Sequence, residues 1–378
     1  MSKESRSARI ERLPEEVQEE FENQVEELRE ELREKHFEEH VSEIRTQLDD
    51  DDDELHDIDI IVSSFLEVDE TEYTFVRTEP LIHQQEKNFD VLIASPNKGI
   101  AVLCEVERSL IDRLPSKLSK FEGKRDVIAS RGTGGIDVDD YFERVTGDIP
   151  KNYDFVLASQ VVSDEELKRK CEETGLNLIA WDMASHGPTC RIRSFTVKED
   201  PTAPFNGHTD PQLEEFIQKY LQRGVPKQDF INFMYSSSRY LKLERMALVL
   251  VNRHHRKGYD TFVYDDWKRL FGRDDVDLYN YLEEEKQTLY SNFIDYGKGC
   301  GVVDLEEDHG DLFLNEYRIK SRASKDQKKL IEEIRTKMAE ERMKEDFEND
   351  VEEGEETILI ELEQEHATGG YTLSDFVD

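Results

Sequence analysis

The stretch from Phe89 to Glu107 constrains this chain most. Phe89 to Ser95 is apolar and rich in β-formers, Pro96 to Gly99 supplies turn residues, and Ile100 to Val106 is a second apolar run. Two such runs around a Pro-Asn-Lys-Gly turn predict a β-hairpin buried on both faces. Three acids interrupt it: Asp90 where the first strand begins, and Glu105 and Glu107 where the second ends. Side chains alternate along a strand, so Glu105 and Glu107 are expected on one face, with the turn returning Asp90 beside them. Carboxylates gathered at the end of an apolar hairpin repel one another, and burial sharpens the repulsion. A hard divalent cation, Mg²⁺ or Mn²⁺, relieves it with oxygen ligands.

The charge pattern frames what else the chain can do. Of 378 residues, 88 are Asp or Glu and 50 are Lys or Arg, a formal net charge of −38. Residues 1–55 carry 21 acidic against 8 basic side chains, and residues 321–378 carry 18 against 8, so much of the excess sits at the two ends. The middle is less hostile to an anionic partner than the total suggests. Two explanations fit the acidity: a halophilic surface adapted to high salt, or solvating acidic tails. Four cysteines (Cys104, Cys171, Cys190, Cys300) lack C-x-x-C spacing, which is the usage of a reduced compartment without a zinc-finger site. With no long apolar run and no signal-type leader, a cytoplasmic protein without membrane contact is expected.

Taken in order, residues 13–48 place Leu13, Val17, Phe21, Val25, Leu28 and Leu32, then Val41, Ile44 and Leu48, at helical spacing, with a break in the pattern between Leu32 and Val41. This predicts helix, either packed on the first domain or serving as a homodimer arm together with the C-terminal helix. Asp49 to Glu54 reads as a solvated linker. A short buried helix is expected over Leu55 to Leu66 and a strand over Tyr73 to Arg77. After the hairpin come a helix over Leu114 to Ala129, a loop over Arg131 to Gly135, a strand over Tyr153 to Ala158, a helix over Asp164 to Thr174, and strands over Leu176 to Trp181 and Thr189 to Val197. The Arg-Gly-Thr-Gly-Gly loop lacks the Lys-Ser/Thr of a phosphate-binding P-loop, which excludes that class of nucleotide hydrolase.

This order, with Asp90 opening one core strand and Glu105-Val106-Glu107 ending the next, resembles the PD-(D/E)XK, or restriction-endonuclease-like, nuclease superfamily over roughly residues 36–185. The resemblance implies an α/β fold, a mixed sheet flanked by helices, and metal-dependent hydrolysis of DNA phosphodiesters in repair, restriction or mobile-element defence. It implies Asp90, Glu105 and the Val106 carbonyl as ligands of Mg²⁺ or Mn²⁺, and Glu107 in the position the family gives to lysine, as base or water-orienting group. Lys117, Lys120 and Lys124 are candidates for a lysine displaced to the following helix, with Lys98 and Arg108 as phosphate contacts. Glu54 and Glu67 flank the place of the family's helix-borne acid. The alternative is a nuclease-like fold kept as a nucleic-acid or protein-binding scaffold, a reading that Glu107 in place of lysine leaves open.

Pro-rich Asp200 to Pro211 reads as a linker. Helices are expected over Leu213–Leu221, Lys227–Met234, Tyr240–Arg256, Asp265–Phe271 and Val276–Ile294, then strands over Cys300–Leu305 and Leu312–Ile319. Helices closing on a hairpin resemble a winged-helix module, which implies DNA contact through Arg253, His255, Arg256, Lys257, Lys268 and Arg269. A charged helix over 324–347 and an acidic disordered tail follow. The ending, with Leu373 and Phe376, resembles a degenerate sliding-clamp-binding peptide. The expected organisation is an acidic helical extension (1–54), the nuclease-like domain (55–199), a linker (200–211), a mainly α winged-helix-like domain (212–320), and a charged helix with tail (321–378).

Overall fold

The computed structural model describes residues 6–66, 68–83, 86–87, 89–106, 137–148, 150–160, 169, 178–197, 210–254, 257–271, 282–320 and 326–369. The chain divides into two compact units. One gathers Met1–Leu48, Asp295–Asp304 and Ile319–Asp378; the other gathers Asp49–Ile294 and Leu305–Arg318.

The larger unit is a mixed α/β assembly around a seven-stranded sheet. Its strands are β1 (Thr74–Thr78), β4 (Val91–Ser95), β5 (Ile100–Val106), β6 (Asn152–Ser159), β7 (Leu178–His186), β8 (Thr189–Val197) and β9 (Val225–Pro226), in that spatial order. A separate short pair, β2 (Leu81–His83) and β3 (Glu86–Lys87), lies between β1 and β4 in sequence. β1, β4 and β5 form an antiparallel meander, β6 and β7 continue it in parallel, and β8 and β9 close it antiparallel. The expected hairpin is therefore present as β4 and β5, with Val91 in register with Cys104 and Ser95 with Ile100. Its turn is a 3₁₀ turn over Pro96–Lys98 ending at Gly99, whose φ of 69° is left-handed. A side chain there would be strained and would press on Lys151, 3.2 Å from the Cβ position, while the Gly99 carbonyl accepts the Lys151 N–H.

One long helix, α2 (Glu15–Phe65), follows the short α1 (Arg6–Ile10). Asp49 to Glu54 is thus helix rather than linker. Asp51 accepts from the Ser238 N–H and hydroxyl, and Asp52 pairs with Arg245, so carboxylates that would repel in an isolated helix have partners here. The last part of α2 carries Ile58, Ile60, Ile61, Val62 and Phe65, all fully buried. Phe65 stacks on Trp181 of β7 at 5.6 Å and meets Phe216 at 5.7 Å. Phe216 belongs to α4 (Pro211–Lys219), which follows α3 (Asp137–Thr146) in the chain.

Residues 210–294 fall in the same unit as the seven-stranded sheet. After α4 the chain returns to the same sheet as β9, and 49–294 falls in one unit. Residues 227–234, expected as helix, are irregular because side chains take the amides a helix would use. Ser63 Oγ accepts from the Gln228 N–H, and Asp59 Oδ1 accepts from Phe230 and Ile231 at 3.0 and 3.2 Å. Then come α5 (Arg239–Val249), a π-helical turn over Leu250–His254, α6 (Tyr264–Leu270), α7 (Glu283–Gly299), and a hairpin of β10 (Val303–Glu307) and β11 (Glu316–Ile319). Phe262, just before α6, bridges antiparallel to Tyr317 of β11. An aromatic core of Phe262, Tyr264, Trp267, Phe271, Tyr290 and Tyr317 fills this part.

In the smaller unit, α8 (Gln327–Gly369) extends well past the helix expected over 324–347 and includes the acidic stretch expected to be disordered. It holds there because it has an apolar partner. Leu359 and Leu362 pack on Phe21 and Val25, with Ile10, Leu13 and Val17 alongside. Arg9 binds Glu363 at 2.7 Å and Arg29 binds Glu355 at 2.7 Å.

Candidate functional site

The hairpin's open end brings Asp90 against Val106. In a regular strand a residue's N–H and C=O point to the same neighbour. Asp90 instead donates its N–H to the Cys104 carbonyl of β5 (2.9 Å), while its own carbonyl accepts the Glu79 N–H from beyond β1 (2.9 Å). Since Cys104 is already in register with Val91, two residues of this strand oppose one of β5. That is a bulge, the device by which strands re-aim a side chain. The re-aimed carboxylate lies at the strand end, where Oδ2 accepts the Val106 N–H at 2.6 Å. Glu105, the next step along β5, is 2% exposed. On its other side β5 pairs with β6, Glu105 in register with Leu157 and Val106 with Ala158. Burial drives the Cys104 thiol pKa well up, and the Asp90 charge adds to this.

Two acids near this sheet end are absent from the sequence reading. Asp57, on α2, is fully buried and accepts from the Gln160 amide. Gln160 comes just after β6, past the Ala158 that faces Val106, so the pair belongs to the same end of the sheet. The only sequence signal for it is an Asp-Ile-Asp inside the apolar Leu55 to Leu66 run. Glu79, next to Asp90 through its backbone, has a φ of 47°, strained for a residue with a side chain. Its buried carboxylate accepts the N–H groups of Tyr235 (2.5 Å) and Ser236 (2.9 Å).

Lys98 is held elsewhere. It lies in the turn at the far end of β4, roughly 17 Å from Asp90 at ~3.4 Å per residue. There its ammonium pairs with Asp210 at 2.5 Å above the Tyr73 ring, and the Tyr73 hydroxyl donates to the same carboxylate at 2.8 Å. Burial opposes ionisation of Asp210, but the Lys98 and Tyr73 hydrogen bonds prevail and hold its carboxyl below the usual range. A cavity of about 400 Å³ opens at this Lys98 end, lined by Glu72, Lys98, Glu215 and Lys219 among others. Glu107, Arg108, Lys117, Lys120 and Lys124 lie outside the described residues, as does the 370–378 peptide.

In the C-terminal part, Lys268 contacts Glu283 at 3.1 Å and Asp265 at 3.4 Å and covers the Tyr264 ring at 4.8 Å, while Arg269 binds Asp266 at 2.7 Å. Their charge faces the protein's own acids. Arg253 lies in the π-helical turn and is exposed, as is Lys257; His255 and Arg256 lie outside the described residues. Among the described residues, one trio of metal-type ligands brings its atoms within 4.8 Å of one another: Glu307, His309 and Glu316, solvent-facing on the β10–β11 hairpin. No described helix is long and apolar enough to cross a membrane.

No family model matches the chain, and no curated protein or solved structure gives a significant match.

Proposed function

We propose that the larger unit is a metal-dependent nuclease of restriction-endonuclease-like type, hydrolysing DNA phosphodiesters at the open end of the β4–β5 hairpin. The observation that carries this reading is the bulge that turns Asp90 toward Val106 beside the buried Glu105. A buried carboxylate at a strand end contributes little to stability, and such groups concentrate where chemistry is done. The element order also supports it: a helix, an antiparallel meander, then parallel strands. The donor set of Asp90, Glu105 and the Val106 carbonyl is all oxygen, which suits Mg²⁺ or Mn²⁺. Such an ion, when bound, makes a water nucleophilic and offsets the charge developing on the phosphate. Asp90 and Glu105 would hold it, and Glu107 would orient the attacking water. The order helix, bridge at Phe262, two helices and hairpin supports a winged-helix-like module as the DNA-holding part.

A second reading has its own observation. The Asp90 carboxylate already accepts the Val106 N–H, as it would in a nuclease-like fold retained as a binding scaffold. The test is cleavage of plasmid and single-stranded DNA at high salt with Mg²⁺ or Mn²⁺, comparing the parent with Asp90→Asn and Glu105→Gln. The nuclease predicts parent activity that each variant lowers at least about a hundredfold with its fold intact by circular dichroism. Equal behaviour of all three supports the scaffold.

A further inference from the structure

The smaller unit carries a surface with chemistry of its own, independent of the proposed nuclease site. There α2 and α8 run antiparallel: His36 lies 2.9 Å from Asp350 and, one turn on, His40 lies 3.3 Å from Asp346. A groove of about 820 Å³ opens between the two helices, with Phe21 and Val25 of α2 and Met343 and Phe347 of α8 as its apolar lining. Phe347 is half-buried, and the groove is open along one side of the helix pair.

The charged rim on α2 identifies what the groove takes. Glu22, Glu26, Arg29 and Arg33 all line it, and their spacings of four, three and four put them on one helix face. All four are exposed. Along the chain the charges read acid, acid, base, base. Glu22, Glu26 and Arg33 have no counter-ion among the described residues, and Arg29 shares Glu355 with Arg6. A stripe with acids at its start and bases at its end is complementary to itself run backwards. Laid antiparallel, Glu22 faces Arg33 of a second copy and Glu26 faces its Arg29, and the two-fold axis repeats both pairs. A parallel copy would set acid on acid and base on base. Arginine also suits the apolar lining, because its stem lies along such a surface while the guanidinium fork reaches a carboxylate beyond it.

We propose that this groove is the docking surface for a second copy of the same chain, with α2 lying antiparallel on α2 of its partner in an isologous dimer. The Glu22–Arg33 and Glu26–Arg29 pairs set direction and register, and the arginine stems cover Phe21, Val25 and Phe347.

Sedimentation of the full chain over a concentration series, with helicity followed by circular dichroism, tests this. The parent is expected to show a reversible monomer–dimer equilibrium. Glu22→Arg/Glu26→Arg makes the stripe wholly basic and Arg29→Glu/Arg33→Glu makes it wholly acidic. Each should raise the dissociation constant at least about tenfold, since like charges then face each other, while keeping parental helicity. Mixed one to one, the two variants should form a heterodimer, a recovery that a folding defect cannot produce. All four exchanges in one chain reverse the stripe and should restore self-association. Asp69→Arg/Glu70→Arg, which changes the total charge equally outside the groove, should leave the dimer in place, as should a chain ending at Gly369. A parent that stays monomeric up to ~0.5 mM would overturn the proposal. So would a dimer indifferent to both stripe variants, a mixture that stays monomeric, loss of the dimer in Asp69→Arg/Glu70→Arg, or loss on removing residues 370–378, which would make that segment the occupant.

Discussion

At the scale of single residues, buried acids do the joining. Asp59, Glu79 and Asp57 each bind groups more than 100 positions away in the chain. Asp59 is the informative case, because burial outweighs its two amide hydrogen bonds and the Lys227 charge and pushes its pKa up to about 8. The folded state therefore keeps this proton between about pH 4 and 8, where the unfolded chain has released it. That stabilisation is complete at low pH and is lost as pH rises through 8. Asp59→Asn retains an oxygen for both amides, since both bind Oδ1, and removes the titration. Urea unfolding should show Asp59→Asn gaining on the parent from pH 5 to pH 9, by an amount on the order of a few kcal/mol. A parent-minus-variant difference that stays flat over that range would contradict the assignment.

At the scale of elements, the helices of the smaller unit hold by a narrow apolar contact rather than by their charged surfaces. α8 is dense in glutamate, and surface ion pairs such as Arg29–Glu355 contribute on the order of 1 kcal/mol or less. Leu359 is fully buried against Phe21 and Val25, whereas its neighbour Ile360 is 40% exposed. Leu359→Ala should cost about 2–5 kcal/mol in chemical denaturation, and Ile360→Ala under about 1 kcal/mol. Comparable losses at the two positions would mean that the seam has been misplaced. The same logic accounts for Asp49 to Glu54, where Arg245 and Ser238 supply partners that an isolated helix lacks.

At the scale of the whole molecule, the net charge of −38 opposes compaction. Screening shortens the reach of that repulsion from ~10 Å at 0.1 M salt to ~3 Å at 1 M. Raising KCl over this range should lift the melting temperature by several degrees, and a melting temperature that falls or stays level would show that attractive ion pairs outweigh the repulsion. The DNA cleavage assay belongs at the high end of that range, where the acidic surface is least repellent to a polyanion.

What the sequence determined by itself was local. Apolar β-rich runs and turn chemistry were enough for the β4–β5 hairpin, for Asp90 and Glu105 at its open end, and for strands β1, β6 and β8, because neighbours in sequence decide those features. Helical spacing was enough for the first part of α2. Tertiary structure decided the rest. It made Asp49 to Glu54 helical, carried α8 to Gly369, kept 227–234 out of a helix, and returned the chain to the first sheet after Asp210. In each case the deciding partner, whether Arg245, Phe21, Asp59 or β8, is remote in sequence, and a local pattern holds no record of what will be packed against it.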